Sequence, residues 1–447
     1  MSAAVAAVRA GLGFGAKAKS KTKKRSHTVE YSLLLTAALC LVAFGVVMVF
    51  SASSTTSLLG ESGDGAYYLK RTLMYGAIGL LVLRLLSVAK LARLRALIPL
   101  LLGASVVMLL MIKLPGIGME AKGATRWIGA GPIQIQPSEI AKVALVLYGA
   151  HMIAARPKLT ADIRSMAPYL LVAAGVVALI VVEPDLGSAM VSAFSVAALL
   201  IAGGAKIRHL VLIGAALCLI ALIAILMEPY RQERLFSFFN PDADVTGAGH
   251  QVTQARIAMG SGGLFGVGLG ESVQKAFYLP EAHTDMIAAV IGEETGLAGL
   301  GILVSLYMML GYAGFQIARR AKDRFGRLLA AGLTAMILIQ ATINLFAVTG
   351  MAPLTGVTLP FVSYGNSSLI MTLAAIGLLL NVAAGGTAAN ARTRTSARPL
   401  RVLDGGGSRR TATASNRHSG GARATSGDRG RRDSRTRSSG ARRSRRA

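Results

Sequence analysis

The 447-residue sequence is poor in the residues that form disulfides and metal sites. It has two cysteines and six histidines. Both cysteines, Cys40 and Cys218, fall inside apolar runs, so no disulfide is expected. The histidines are scattered and lack the spacing of a metal-ligand cluster. These counts favour neither a disulfide scaffold nor a histidine-rich metal centre.

Several catalytic and nucleotide-binding motifs are also missing. There is no Gly-x-x-x-x-Gly-Lys-Ser/Thr loop, so nothing indicates an ATP-driven pump. No Gly-x-Ser-x-Gly elbow occurs, and "GSGGLFGVGLG" (260–270) is glycine-rich without the Rossmann spacing or a preceding strand. The sequence therefore gives no support to nucleotide-driven transport or to hydrolysis by an activated serine.

Acidic residues are scarce, with 21 against 48 basic ones, and the surplus lies mainly at the ends of the chain. Residues 1–30 carry seven Lys/Arg against one Glu, and residues 385–447 carry 17 Arg against three Asp. The first segment predicts a cytoplasmic tail without a cleavable signal peptide. The second has the Arg/Ser/Gly composition of a disordered cytoplasmic tail. We expect it to meet anionic lipid or an acidic partner and not nucleic acid.

Apolar residues are abundant, at 53% of the chain with a mean hydropathy of +0.55. They come in blocks of about 20, the length that spans the hydrocarbon of a bilayer. The pattern predicts an all-α polytopic membrane domain over residues 31–384 with about ten transmembrane helices. The blocks lie near 31–52, 69–88, 93–112, 137–155, 166–182, 187–204, 210–228, 284–316, 328–349 and 365–384. The eighth is long enough to tilt or break at one of its glycines, Gly292, Gly296, Gly299 or Gly301.

Basic residues alternate between loops and predict the topology. They cluster in the loops near 90–95, 156–164, 206–208 and 319–327, which the positive-inside rule places in the cytoplasm with both termini. The long loop at about 229–283, between helices 7 and 8, is then extracytoplasmic. It mixes apolar and turn residues, so we expect short interfacial or re-entrant helices there.

The stretch "YLPEAHTDMIAAVIGEETG" (278–296) concentrates ionisable groups where an apolar span begins. Such groups are costly in a membrane and usually face a cavity, a partner or a reaction. Glu281 and Asp285 are four apart and would share one helical face, with Pro280 in the first turn. They either decorate a helix N-terminus or take part in chemistry. Deeper in the span, Glu293 and Glu294 are either structural or functional.

Three other stretches place charged or polar groups at the same predicted side. "GATRWIGAGPIQIQPSEIAK" (123–142) carries Arg126 and Trp127 in a loop, and then Glu139 and Lys142, which form either a structural ion pair or a binding site. "EPDLGS" (183–188) is either a solvated turn or a functional one. "FVSYGNSS" (361–368) would cap the last span or contribute to a site.

These motifs, in this order, closely resemble those of the SEDS family (shape, elongation, division and sporulation) of bacterial membrane proteins, over residues 31–384. The signatures are "GATRWI", "QPSEIAK", "EPDLGSAM", "QVTQARIAMGSGGLFGVGLG", "LPEAHTDMIAAVIGEETG" and "PFVSYGNSS". "EAHTD" preceded by "GESVQKAFYLP" resembles the cell-division branch, since the elongation branch usually has Arg where this chain has Ala282. Asn366 replaces a second glycine and "MIAAV" replaces "FIFAV", and neither change removes a reactive group.

The resemblance implies a peptidoglycan glycosyltransferase that polymerises lipid II on the outer face of the cytoplasmic membrane. Asp285 corresponds to the catalytic carboxylate, a base for the acceptor hydroxyl. The residues that we expect to bind substrate are Arg126, Trp127, Glu139, Lys142, Glu183, Asp185, Lys275, Glu281, His283 and Glu293. Among them, Arg126, Lys142 and Lys275 would balance the pyrophosphate charge. A divalent cation at the pyrophosphate, Mg²⁺ or Mn²⁺, is the alternative to these bases, and no other cofactor is indicated.

Two other classes stay open. Intramembrane charges and broken helices also suit a lipid II flippase, although no transporter-type internal repeat is visible. A scaffold for a transpeptidase is compatible with either activity. The resemblance implies a class B penicillin-binding protein and other divisome proteins as partners. It also implies a multi-pass location in the inner membrane at the division septum.

Overall fold

A computed structural model describes most of the chain outside its two tails. The described residues are 29–60, 63–114, 118–121, 124–130, 133–227, 229–240, 247–276 and 278–385. The predicted basic tail before residue 31 and the predicted Arg-rich tail from residue 385 lie almost wholly outside these ranges.

Twelve α-helices occur in the described residues. They are α1 (Val29–Leu59), α2 (Tyr67–Val88), α3 (Leu91–Met111), α4 (Pro137–Ala155), α5 (Ile163–Val182), α6 (Leu186–Ala202), α7 (Ile207–Leu226), α8 (Pro229–Phe239), α9 (Ala248–Ser261), α10 (Ile287–Arg320), α11 (Arg324–Val348) and α12 (Asn366–Ala383). Each of the ten predicted apolar blocks corresponds to one of them. The polytopic, predominantly helical membrane fold is thereby confirmed.

Eight of these helices are long and apolar enough to cross a membrane. The other two predicted spans, α6 and the apolar part of α7 (Ile207–Ile223), are shorter apolar helices. A count of ten crossings therefore stays a prediction. The long loop carries α8 and α9, the short helices that its composition indicated.

A small antiparallel sheet lies between α3 and α4, and the sequence analysis did not predict it. Its strands, in the order β1-β2-β3, are Gly118–Ala121, Ala124–Ala130 and Ile133–Ile135. The middle strand carries Arg126 and the half-buried Trp127, whose backbone pairs with Met119 of the first strand. The sheet therefore holds two of the predicted site residues in a fixed register.

Helix α10 is broken at Gly296, as its length and glycine content suggested. Gly296 has φ 66° and ψ −163°, a conformation that only glycine adopts readily. The break is closed by the glycine-rich loop after α9, whose backbone bonds to both sides of it. The N–H groups of residues 267 and 268 donate to the carbonyls of residues 293 and 294, at 2.9 and 3.1 Å. The carbonyls of residues 263 and 264 accept from the N–H groups of residues 297 and 298, at 3.0 Å each. Four backbone groups beside the break thus have a partner in the loop, as a membrane interior favours.

A second irregular stretch, residues 352–365 between α11 and α12, is largely buried, and we call it the central segment. Three side chains from α10 and α11 donate to its carbonyls. Asn344 bonds to residue 357 at 2.7 Å, Gln340 to residue 358 at 3.0 Å and Tyr307 to residue 360 at 2.5 Å. Gln340 and Asn344 are four apart and share one face of α11. These bonds let a non-helical backbone lie inside the bundle.

Candidate active site

Asp285 lies in a turn that immediately precedes α10. The prediction that Glu281 and Asp285 share one face of a helix, with Pro280 in its first turn, is wrong. Glu281 has φ 59°, outside the right-handed helical region, and its carbonyl accepts from the N–H groups of Thr284 at 3.0 Å and Met286 at 3.3 Å. A tight turn therefore replaces the first helical turn.

The turn still brings the two carboxylates together, through a hydroxyl. The Thr284 hydroxyl lies 2.7 Å from Glu281 Oε2 and 3.2 Å from Asp285 Oδ1. Burial, and next the charge of Glu281, raise the pKa of Asp285 to about 6, while Arg234 opposes the rise. Asp285 is thus mainly ionised at neutral pH, with a basicity well above that of a solvated carboxylate.

The backbone of Asp285 is fixed by α11. The side-chain amide of Asn344 donates to the Asp285 carbonyl and to the Val357 carbonyl, each at 2.7 Å. Asn344 is buried. One amide therefore holds the Asp285 turn against the central segment.

His283 belongs to an aromatic group beside the same turn. Its ring centroid lies 4.3 Å from that of Tyr68 and 5.7 Å from that of Tyr364. The Tyr364 N–H donates to the His283 carbonyl at 2.9 Å. Packing of this ring helps to hold the turn, and its predicted contact with substrate stays a prediction.

The turn between α5 and α6 gathers basic side chains from three separate segments. Arg126, Lys113 and Arg231 donate to the carbonyls of residues 183, 182 and 181, at 3.2, 2.8 and 3.0 Å. Cations stabilise the carbonyl end of a helix. The cluster thus places three basic side chains on this turn.

Glu183 and Asp185 in that turn are buried, so a solvated turn is the wrong interpretation. Asp185 accepts from the Ser188 N–H at 3.0 Å at the start of α6, and from the side chains of Gln136 and Ser138 at 3.0 and 3.1 Å. Within the described ranges, neither carboxylate oxygen of Glu183 has a hydrogen-bond partner. Burial, and next Asp185, raise the pKa of Glu183 to about 8, so it is mainly protonated at neutral pH.

The ion pair considered for Glu139 and Lys142 is present. Their charged groups are 2.8 Å apart, and both side chains are buried. Lys142 also donates to Gln340 Oε1 at 3.0 Å. This arrangement ties α4 to α11, and it favours a structural role over the binding of pyrophosphate by Lys142.

The predicted site residues near the break in α10 are also paired. Lys275 lies 2.8 Å from Glu294 and donates to the Gly270 carbonyl at 2.6 Å. Glu293 accepts from the Ser272 hydroxyl at 2.5 Å and from the Val273 N–H at 3.0 Å. These bonds favour structural roles that anchor the glycine-rich loop. Lys275 is buried against a carboxylate, so its predicted contact with pyrophosphate has no geometric support.

The polar stretch at the start of α12 does not cap the helix through a side chain. Gly365 precedes the helix, and no side-chain capping bond is formed there. Instead, Ser367 accepts from the Gln136 N–H at 2.8 Å, and Ser368 lies 3.2 Å from the Thr358 hydroxyl. The stretch joins the central segment to the neighbouring helices, and the capping interpretation is wrong.

Sequence reasoning missed Arg234 and Asn344. Arg234 lies on α8 and donates to the Leu354 carbonyl at 3.2 Å, and its charge acts on Asp285. The signal for Asn344 was its spacing of four from Gln340, two polar residues within an apolar span. For Arg234 the only signal was its place in a loop already marked as functional.

No group of three or more His, Cys, Asp or Glu side chains that could hold a metal ion occurs among the residues the structure covers. A divalent cation could still be held by one or two carboxylates together with substrate phosphates. A divalent cation at the pyrophosphate therefore stays a prediction, and the described residues form no metal site of three or more such side chains.

The fold and site define a multi-span membrane protein with a buried carboxylate clamped at one end of a broken helix. The cell cycle protein family of FtsW, RodA and SpoVE matches residues 31–387. The chain belongs to this family, which is the SEDS family that the motifs indicated.

Two curated relatives are similar in sequence to this chain over most of their length. A probable peptidoglycan glycosyltransferase FtsW of Trichlorobacter lovleyi is 40% identical over 81% of this chain and 96% of its own. The stage V sporulation protein E of Bacillus subtilis is 38% identical over 78% of this chain and 96% of its own.

Solved structures share the fold. One, described as showing structural coordination of polymerization and crosslinking by a peptidoglycan synthase complex, has a TM-score of 0.66 and 32% identity, over 80% of this chain and 98% of that chain. The rod shape determining protein RodA of Thermus thermophilus has a TM-score of 0.59 and 31% identity, over 80% of this chain and 97% of its own.

Proposed function

We infer that this chain is a peptidoglycan glycosyltransferase that polymerises lipid II during bacterial cell division. Relatives named as FtsW glycosyltransferases support the activity and the division role. The structural observation that carries the inference is Asp285, a buried carboxylate that two hydrogen-bonded side chains hold in place. Thr284 contacts its carboxylate and Asn344 its carbonyl.

Asp285 acts as the general base. The acceptor sugar hydroxyl loses its proton to the carboxylate as its oxygen bonds to the anomeric carbon of the donor sugar. The bond from that carbon to the pyrophosphate breaks, and undecaprenyl pyrophosphate leaves with the electron pair. Because pyrophosphate is already a good leaving group, one carboxylate suffices, and a raised pKa brings the base closer to the working pH.

The charge of the pyrophosphate has to be balanced. Arg126 remains a candidate because its partners in the α5–α6 turn are backbone carbonyls. Lys113 and Arg231 bond to the same turn and extend the positive surface. We propose that these side chains attract the pyrophosphate, with a divalent cation as an additional, unassigned contributor.

We further propose a class B penicillin-binding protein and other divisome proteins as partners. The solved synthase complex with the same fold supports a transpeptidase partner. The apolar helices support a membrane location. The alternating basic loops support cytoplasmic termini, and the division-type relatives support a position at the septum.

Purified protein in detergent, supplied with labelled lipid II, tests the activity. Glycan strands should form without any nucleotide. A flippase would give no polymer in this assay, and in vesicles it would move lipid II between leaflets instead. A scaffold would give neither result, so either outcome removes the proposed activity.

A further inference from the structure

An open space borders the Asp285 carboxylate at Gly356, in the central segment. Gly356 is exposed and has φ 69°. A Cβ atom at this position would lie 3.9 Å from Asp285 Oδ2 and 3.7 Å from Arg234 Nη1. The missing side chain thus leaves a gap about the size of a methyl or hydroxyl group, bordered by a carboxylate oxygen and a guanidinium nitrogen.

Arg234 is held at this gap by the central segment. Its Nη1 donates to the Leu354 carbonyl at 3.2 Å, two residues before Gly356. The charged groups that act on Asp285 are Glu281, of like sign, and Arg234, of opposite sign, and the Thr284 hydroxyl is its close polar neighbour. Arg234 is therefore a cation that borders the same gap as the base and acts on its charge.

We propose, resting on the function inferred above, that the Gly356 gap receives the acceptor hydroxyl and that Arg234 binds the pyrophosphate of the donor. As the oxygen–carbon bond forms, the leaving pyrophosphate lies beyond the anomeric carbon, away from the hydroxyl. A base and a cation that border the same small space can serve the attacking hydroxyl and the leaving pyrophosphate, respectively. The planar guanidinium also suits two phosphate oxygens at once.

The gap is tested by filling it. Gly356→Ala adds a methyl at ordinary contact distance from Asp285 and Arg234, so it occupies the space without displacing either side chain. Gly204→Ala is the matched control, because Gly204 also has a positive φ, 85°, and open space around it. Both variants carry similar backbone strain. We expect glycan synthesis to fall at least about tenfold in the first only, at similar thermal stability. Equal activity in both variants would overturn the proposal for the gap.

Arg234 is tested through binding and pH. Arg234→Gln removes the charge, and Arg234→Lys keeps the charge but cannot donate two parallel hydrogen bonds. Arg256→Gln is the control, because Arg256 likewise donates to a backbone carbonyl, that of Gly350. Full-length wild type and variants are assayed with lipid II, with undecaprenyl pyrophosphate as product inhibitor. Undecaprenol, which has the same tail without a phosphate, serves as the probe for tail binding alone.

We expect Arg234→Gln to lower kcat/KM about 10- to 100-fold, the scale of a lost charge-assisted hydrogen bond. It should weaken inhibition by undecaprenyl pyrophosphate and leave inhibition by undecaprenol unchanged. It should also raise the pH below which the rate falls, because Asp285 loses a nearby positive charge. Arg234→Lys should leave that pH unchanged. Wild-type inhibition and pH profile in Arg234→Gln would overturn the role of Arg234. If wild type itself formed no glycan, the fault would lie with the proposed function.

Discussion

The side-chain amide of Asn344 donates a 2.7 Å hydrogen bond to the carbonyl of Asp285, a residue 59 positions earlier in the chain. The same amide nitrogen reaches the Val357 carbonyl. Asn344 does not touch the Asp285 carboxylate, so it acts on position and not on proton transfer. A base must lie within hydrogen-bond reach of the proton that it takes, and small displacements cost rate.

Asn344→Ala should therefore reduce glycan synthesis by about tenfold or more, with a loss of stability of about 1–3 kcal/mol from the unpaired carbonyls. Asn381→Ala is the matched control. Asn381 is also buried, and its amide donates to two backbone carbonyls, at 2.6 and 2.8 Å, in a different part of the bundle. Thermal unfolding and lipid II polymerisation are measured on both variants. Similar stability losses with similar activities would mean that Asn344 only holds the fold.

The pH profile should report the ionisation of Asp285. Since its pKa is raised to about 6, the carboxylate is protonated below that pH and cannot act as a base, so kcat/KM should fall as the pH drops through about 6. Glu281→Gln removes a like charge that favours the protonated form. The acid limb should then shift to lower pH, while the rate near neutrality changes little. A shift to higher pH would contradict the arrangement of the two carboxylates.

The buried pair of Lys275 and Glu294 should matter mainly for stability. Lys275→Met leaves a buried carboxylate without its cation, which costs about 3–5 kcal/mol. The double variant Lys275→Met with Glu294→Met should recover much of that loss. Lys70 and Asp64 form an exposed pair at 2.7 Å, and Lys70→Met should change the melting temperature little. A double variant that is stable but inactive would instead support the predicted role of Lys275 in binding pyrophosphate.

The topology can be tested by labelling in a background without native cysteine (Cys40→Ala with Cys218→Ala). Asn240, at the end of α8, and Lys322, between α10 and α11, are both exposed. A cysteine at Asn240 should react with an impermeant thiol reagent on intact spheroplasts, and one at Lys322 should react only after lysis. The opposite pattern would invert the topology.

Local features of the sequence were enough to predict the helices. Long apolar runs marked all ten apolar helices, and the glycines of the longest run marked its break, which lies at Gly296. The carboxylates of 278–296 were also found, because charge beside an apolar run is conspicuous. The geometry of these carboxylates was not predicted, since Glu281 has a positive φ and a tight turn replaces the expected helical turn.

The remaining parts of the site depend on contacts between distant residues. Nothing local distinguishes Asn344 from any other polar residue in a span, because its partner carbonyl lies 59 positions away. Arg234 reaches the central segment 120 positions later. The central segment itself is non-helical and largely buried, and side chains from α8, α10 and α11 donate to its carbonyls.

The role of Asp285 as the base is tested most directly by Asp285→Asn, with Asp323→Asn as the control. Asp323 caps the start of α11 and lies far along the chain from the site. The measurement is the rate of glycan formation by purified protein from labelled lipid II at neutral pH, with lipid II binding and thermal unfolding measured in parallel. Asp285→Asn keeps the side-chain size but cannot accept the proton, so the rate should fall by about 10² to 10⁴ with binding retained. Polymerisation at the wild-type rate by Asp285→Asn would contradict the assignment of the base.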